Sequence, residues 1–179
     1  MYGVIFFKQE TEPTQFVMKT LNYIHLDEKK MDSVVEKLQE LLANYQIFYT
    51  NLRGFHWNIT GQQFFRLHEK FEELYDDVSV KIDDIAERIL SLSGVPRNSF
   101  ADYLKLSSIE DISFCSNAEK SVKITLENIS VLIDKQKNIL AMANDAHDDS
   151  TASMMSDYIR EQEKLVWMLV AYFTENVNE

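Results

Sequence analysis

Residues 54–89 read GFHWNITGQQFFRLHEKFEELYDDVSVKIDDIAERI, and this stretch decides the fold. Beyond Gly61 it contains neither glycine nor proline. Phe64, Phe65, Leu67, Phe71, Leu74, Tyr75, Val78, Ile82, Ile85, Ile89 and Leu92 recur at spacings of three and four, which predicts an amphipathic helix from Gln62 to about Ser93. Gly94, Val95 and Pro96 stop it. Upstream, Val34, Leu38, Leu41, Leu42, Tyr45, Phe48, Leu52 and Phe55 keep the same period. They predict a helix from Met31 to about Asn58, with Asp32 as N-cap and Thr60-Gly61 as its end.

Working outward, residues 96–116 form a long connection with a short helix expected around Ser99–Leu106. A third helix is expected over Asn117–Ala146 and a fourth over Thr151–Glu175, separated by a polar turn, Asp145–Ser150. Residues 1–30, with Pro13 and no clean period, are expected to be a mostly irregular N-terminal extension, and Met18 is a plausible alternative start. The reading is therefore all-α: a four-helix-bundle domain over residues 31–179, with its long connection between the second and third helices.

Four glycines and two prolines in 179 residues leave few helix breakers. A net charge of −11 argues against a generally nucleic-acid-binding surface, which needs lysine and arginine to displace counterions. The lone Cys115 forms no intrachain disulfide, in keeping with a reducing cytoplasm. No apolar run suits a signal peptide or membrane span.

The same stretch carries the chemistry. His68 and Glu72 lie four residues apart on one helix face, and Asp83 and Glu87 do the same. Imidazole combined with carboxylate suits iron, manganese or zinc rather than calcium. One chain cannot gather all four: Glu72 and Asp83 are separated by roughly 16 Å of helix at about 1.5 Å per residue. A second copy of the helix, antiparallel about a two-fold axis, does gather them. Facing residues then have position numbers of constant sum, and Glu72 with Asp83 and His68 with Glu87 both give 155. Such a dimer builds two identical sites, with His56 able to join from the end of the first helix. The plainer alternative is that these charges form an ordinary solvated face. A conventional intrachain di-iron centre is disfavoured, because no Glu stands three residues before His25, His56, His68 or His147.

His56-Trp57, Gly61, Phe64, Leu67-His68, Glu72, Tyr75, Asp83 and Ala86-Glu87-Arg88 together closely resemble the signature of the Dps family, the mini-ferritins of the ferritin-like superfamily. Glu163-Lys164 and Trp167-Met168-Leu169 continue the likeness, which covers about residues 31–175. The resemblance implies a hollow dodecamer of identical subunits with ferroxidase centres at the two-fold interfaces. It implies that His56, His68 and Glu72 of one subunit and Asp83 and Glu87 of its neighbour bind iron and carry the catalysis. Many relatives have Asp where this chain has Glu72. The implied reaction oxidises Fe(II), typically with hydrogen peroxide, and deposits ferric mineral inside the shell, which protects against oxidative stress.

The resemblance also makes Asp148 a candidate lining residue of an iron-entry pore, with a polar interhelix loop as the alternative. Trp57 is a candidate trap for stray oxidising equivalents or an interface residue. Lys8, Lys19, Lys29 and Lys30 in the N-terminal segment are offset by Glu10, Glu12, Asp27 and Glu28, so DNA binding is expected to be weak or absent. The competing reading is a non-enzymatic, structural or DNA-compacting shell of the same family.

Overall fold

The computed structural model describes residues 20–173, and among them there are six helices and no strand. They are α1 (Thr20–Ile24), α2 (Glu28–Asn58), α3 (Phe64–Ser91), α4 (Phe100–Leu106), α5 (Ala118–Asp145) and α6 (Asp149–Phe173). The long helices α2, α3, α5 and α6 form the bundle expected from the sequence, and α4 lies in the connection between α3 and α5.

Several boundaries differ from the sequence reading. The first long helix starts at Glu28 rather than Met31, and its cap is Asp27, whose carboxylate accepts from the Lys30 N–H at 3.1 Å. Asp32 lies inside the helix. Met31 is already inside the helix, its N–H bonding to the Asp27 carbonyl at 3.0 Å, and is a core residue, 1% exposed. Residues 20–24, expected to be irregular, form α1, pinned by the buried Leu21. The expected extension over residues 1–19 and the end of the fourth helix beyond Phe173 lie outside the described residues.

The helix ends follow from local chemistry. Gly61 takes φ +95°, a backbone conformation open to glycine, and its carbonyl accepts from the Phe64 N–H at 3.1 Å, which turns the chain from α2 into α3. At the far end of α3, a Cβ on Gly94 would stand 2.7 Å from Val35 Cγ1, so this glycine permits close approach to α2.

The long connection runs the length of α2, held by three of its amide side chains. Gln39 binds the Val95 carbonyl and the Arg97 N–H at 2.7 and 2.9 Å. One turn on, the buried Asn44 accepts from the Ser108 and Ile109 N–H groups at 2.9 and 3.1 Å. Asn51, also buried, donates to the Glu110 carbonyl and accepts from the Ile112 N–H at 2.8 and 2.9 Å. Thr60 N–H then meets the Ser116 carbonyl at 3.2 Å. A loop crossing a helix face has no ladder for its peptide groups, and these side chains satisfy them. α5 therefore begins at the end of the bundle where α3 begins.

Most of the core is apolar, with a neutral polar cluster inside it. Leu38, Leu41, Leu52, Phe71, Ile85, Ile129, Leu132 and Met155 are all at most 1% exposed. Among them sits Tyr45, whose hydroxyl is joined to the amides of Gln136 on α5 and Gln162 on α6 at 2.7 and 2.6 Å. Burial pushes the Tyr45 hydroxyl pKa well up, so it remains a neutral phenol.

Candidate metal centre

His56 lies in the last turn of α2, and His68 and Glu72 lie in the first turns of α3. The tight turn at Gly61 folds these two helix ends against each other, and Phe55 packs on Phe71 beside them with ring centroids 5.5 Å apart. One ligand atom from each of His56, His68 and Glu72 then lies within 4.8 Å of the others. Bonds of about 2 Å to one ion span at most about 4 Å between ligand atoms, so loading would draw these three closer together.

The two imidazoles hold each other in place. His56 Nδ1 donates to the His68 carbonyl at 2.8 Å, and His68 Nδ1 donates to the His56 carbonyl at 2.9 Å. The rings stack 3.8 Å apart, and Phe64 stacks on the outer face of His68 at 5.0 Å. A carbonyl oxygen only accepts, so each Nδ1 carries a proton, and in the neutral ring each Nε2 keeps its lone pair for a metal. The tautomer needed for ligation is set by the backbone of the same α2–α3 turn that brings the rings together.

Glu72 is exposed and sits beside Tyr75, whose hydroxyl donates to Glu72 Oε1 at 3.4 Å. Partial burial, then the negative charges of Glu72 and Asp76, raise the Tyr75 pKa above its usual value and keep it a donor. In the sequence, Tyr75 stands out only as an apolar position and a signature residue. Its spacing of three from Glu72, which puts both on one face, was the available signal.

Asp83 and Glu87, the other two expected ligands, are exposed residues further along α3. The chain by itself does not bring them to the histidines.

Asp148, the candidate pore residue, is held inside its own chain. Its side chain is 1% exposed and pairs with the Arg88 guanidinium at 2.5 Å. It also accepts from the Thr151 N–H at 3.1 Å and from the Thr151 hydroxyl, capping α6. The cap explains why α6 starts at Asp149 rather than Thr151. The expected polar turn shrinks to Ala146–Asp148, with His147 at φ 60°. Trp57 is 65% exposed and lies under the Arg53 guanidinium, 4.9 Å from its ring.

Among the described residues no helix is long and apolar enough to cross a membrane.

Comparison with known proteins agrees with this architecture. The family model for a ferritin-like domain matches residues 35–176. An uncharacterized protein of Haemophilus influenzae is 51% identical over 148 residues, which span 83% of this chain and 92% of that protein. A DNA protection during starvation protein of Porphyromonas gingivalis is 43% identical over 157 residues, 88% of this chain and 99% of that one. The crystal structure of a Dps protein from Vibrio cholerae O1, described as a member of a broad superfamily of ferritin-like diiron-carboxylate proteins, superposes with a TM-score of 0.82. Its identity is 48%, over 83% of this chain and 94% of that one. The fold and the family match define a ferritin-like four-helix-bundle protein. Within that class, the chain belongs to the Dps family.

Proposed function

We propose that this protein is a ferroxidase and iron store whose oxidation centres are shared between two copies of the chain. His56, His68 and Glu72 supply two imidazoles and one carboxylate, and Asp83 and Glu87 of a second copy supply two more carboxylates. The observation that carries this reading is the convergence of His56, His68 and Glu72 within 4.8 Å, both Nε2 atoms being free. The common register of Glu72 with Asp83 and of His68 with Glu87 supports the two-fold pairing.

Iron is the substrate. Two Fe(II) ions give one electron each to hydrogen peroxide, and its O–O bond breaks to yield two hydroxides and two Fe(III). The protein's part is to bind and orient. The imidazoles suit Fe(II), and the carboxylates stabilise Fe(III), a harder and more highly charged cation. Ferric product is then retained inside a hollow shell of identical subunits, a dodecamer in this reading, which works in the cytoplasm and limits oxidative damage. With an N-terminal segment of balanced charge, the shell binds DNA weakly or not at all, and a gel shift that persisted at moderate salt would contradict this.

The test is Fe(II) oxidation by added peroxide, comparing the parent with the Asp83→Asn/Glu87→Gln variant and following whether ferric product stays soluble with the protein. Fast oxidation and retention in the parent alone support the shared centre. No acceleration over a protein-free control, from an intact assembly freed of metal, would favour a non-enzymatic shell.

A further inference from the structure

We infer that Tyr75 is a positioning residue of the metal centre, its hydroxyl orienting Glu72 and its ring bracing His56. The inference rests on the reading of Glu72 as a ligand and extends it to a residue that does not itself bind metal.

Glu72 is an exposed side chain with three rotatable bonds, so an unassisted carboxylate is spread over many rotamers. Among the described residues, its side-chain hydrogen-bond partner is the Tyr75 hydroxyl, at 3.4 Å. The ring carrying that hydroxyl is fixed on two sides by α2. It stands edge-on to His56 with centroids 5.4 Å apart and an interplanar angle of 83°. It also stands edge-on to Tyr49, at 5.9 Å and 85°. Tyr49 is held in turn by the Arg53 guanidinium, 5.2 Å from its ring, and the same guanidinium covers Trp57 at 4.9 Å. A phenol gripped this way presents its O–H at one place and selects the Glu72 rotamers that reach it. The same ring limits how far the His56 imidazole tilts. Tyr75 thus touches two ligands that come from different helices.

At 3.4 Å the hydroxyl–carboxylate contact is long for an O–H···O bond. An ion that fixes Glu72 against the imidazoles is expected to shorten it, as such contacts tighten on loading. This chain's glutamate makes the device useful. An aspartate has one rotatable bond fewer, whereas the longer arm gains reach and needs a guide.

The experiment uses the assembled protein with Co(II) as probe, its visible absorption reporting both binding and ligand geometry. Tyr75→Phe, Glu72→Gln and the double variant are compared with the parent. Phenylalanine keeps the ring contacts and removes only the hydroxyl. Tyr75→Phe is expected to weaken Co(II) binding on the order of 10-fold and to alter the Co(II) spectrum. The melting temperature of the metal-free assembly should not change. In the Glu72→Gln background the same substitution should add less than about twofold, because the two residues act through one bond. Parental affinity and spectrum in Tyr75→Phe, alongside weakened binding in Glu72→Gln, would overturn the role of Tyr75 alone. Equal losses from Tyr75→Phe in both backgrounds would show that it does not act through Glu72, which also overturns the inference. Parental binding in Glu72→Gln would remove Glu72 from the ligand set, and this inference would fall with that assignment.

Discussion

Tyr45 and His56 lie on the same helix, three turns apart, and the polar groups around them are handled in opposite ways. Around Tyr45 the bundle closes on itself. Amides from α5 and α6 meet the phenol, every group is neutral, and Tyr45 and Gln136 are both fully buried. Around His56 the polar groups grade outward, from the buried His56 through the half-buried His68 to the exposed Glu72. Two imidazoles are pinned through Nδ1 so that Nε2 is free, and an exposed carboxylate stands beside them. Burying a charge without a partner costs far more than burying a hydrogen-bonded amide. A bundle whose centre is neutral is stable before any metal arrives, and chemistry that needs several carboxylates moves to the surface. In the proposed function it stays incomplete there until a second copy meets it.

The largest expected effect comes from breaking the outward-facing half. Asp83→Asn with Glu87→Gln should reduce peroxide-dependent Fe(II) oxidation to the protein-free background and leave the oligomer intact by gel filtration, since both side chains are exposed and outside the core. An unchanged rate would remove these residues from the mechanism.

Asp148→Ala comes next, and it acts on stability. It removes the carboxylate from Arg88, whose side chain is 16% exposed and keeps, among the described residues, only its Nε bond to the Thr151 hydroxyl at 2.8 Å, and it uncaps α6. The expected cost is about 3–5 kcal/mol, as for other broken buried pairs, measured by denaturant unfolding of the metal-free protein. Slower iron entry without loss of stability would instead favour the pore role.

A smaller effect is expected at the neutral centre. Tyr45→Phe leaves the Gln136 and Gln162 amides without their shared partner and should cost about 1–3 kcal/mol. Oxidation kinetics at a temperature where the variant is folded should not move, and a slowed rate would mean that the two regions are coupled.

The smallest effect is a pH dependence. Lys81 is pulled down by burial, but its hydrogen bonds to Asp77 and Glu161 and their charges outweigh this and leave its pKa above 10.5. A raised pKa in the folded state stabilises fully below 10.5, and that contribution is lost as pH rises through the folded value. The melting temperature should therefore fall at strongly alkaline pH, and less steeply in Lys81→Met. Equal slopes would show that the pair contributes nothing.

The two regions also differed in how legible they were. The four long helices could be read from their apolar period, because Leu38, Leu41, Leu52, Phe71, Ile85 and Ile129 are the core that the period implies. The histidine–glutamate cluster was legible because helical spacing and one short turn bring it together. Asn44, Asn51, Gln136 and Gln162 were not, since a buried amide looks like a surface residue until its distant partner is known. The cap was misread because Asp27 and Asp32 both satisfy the local rule, and only burial of Met31 separates them. The pairing and capping by Asp148 were not legible because its partner, Arg88, is 60 residues away in sequence.

The most direct measurement is complementation between two inactive chains. His56→Ala/His68→Ala and Asp83→Asn/Glu87→Gln subunits are each prepared alone, then co-expressed with separate tags, and mixed assemblies carrying both tags are assayed for Fe(II) oxidation. If the centres are shared across a two-fold axis, each mixed pair holds one intact site and one doubly damaged site. Activity should then reappear at about half the parental rate per mixed pair. Mixed assemblies as inactive as either chain alone would contradict a centre built from His56, His68 and Glu72 of one copy and Asp83 and Glu87 of another.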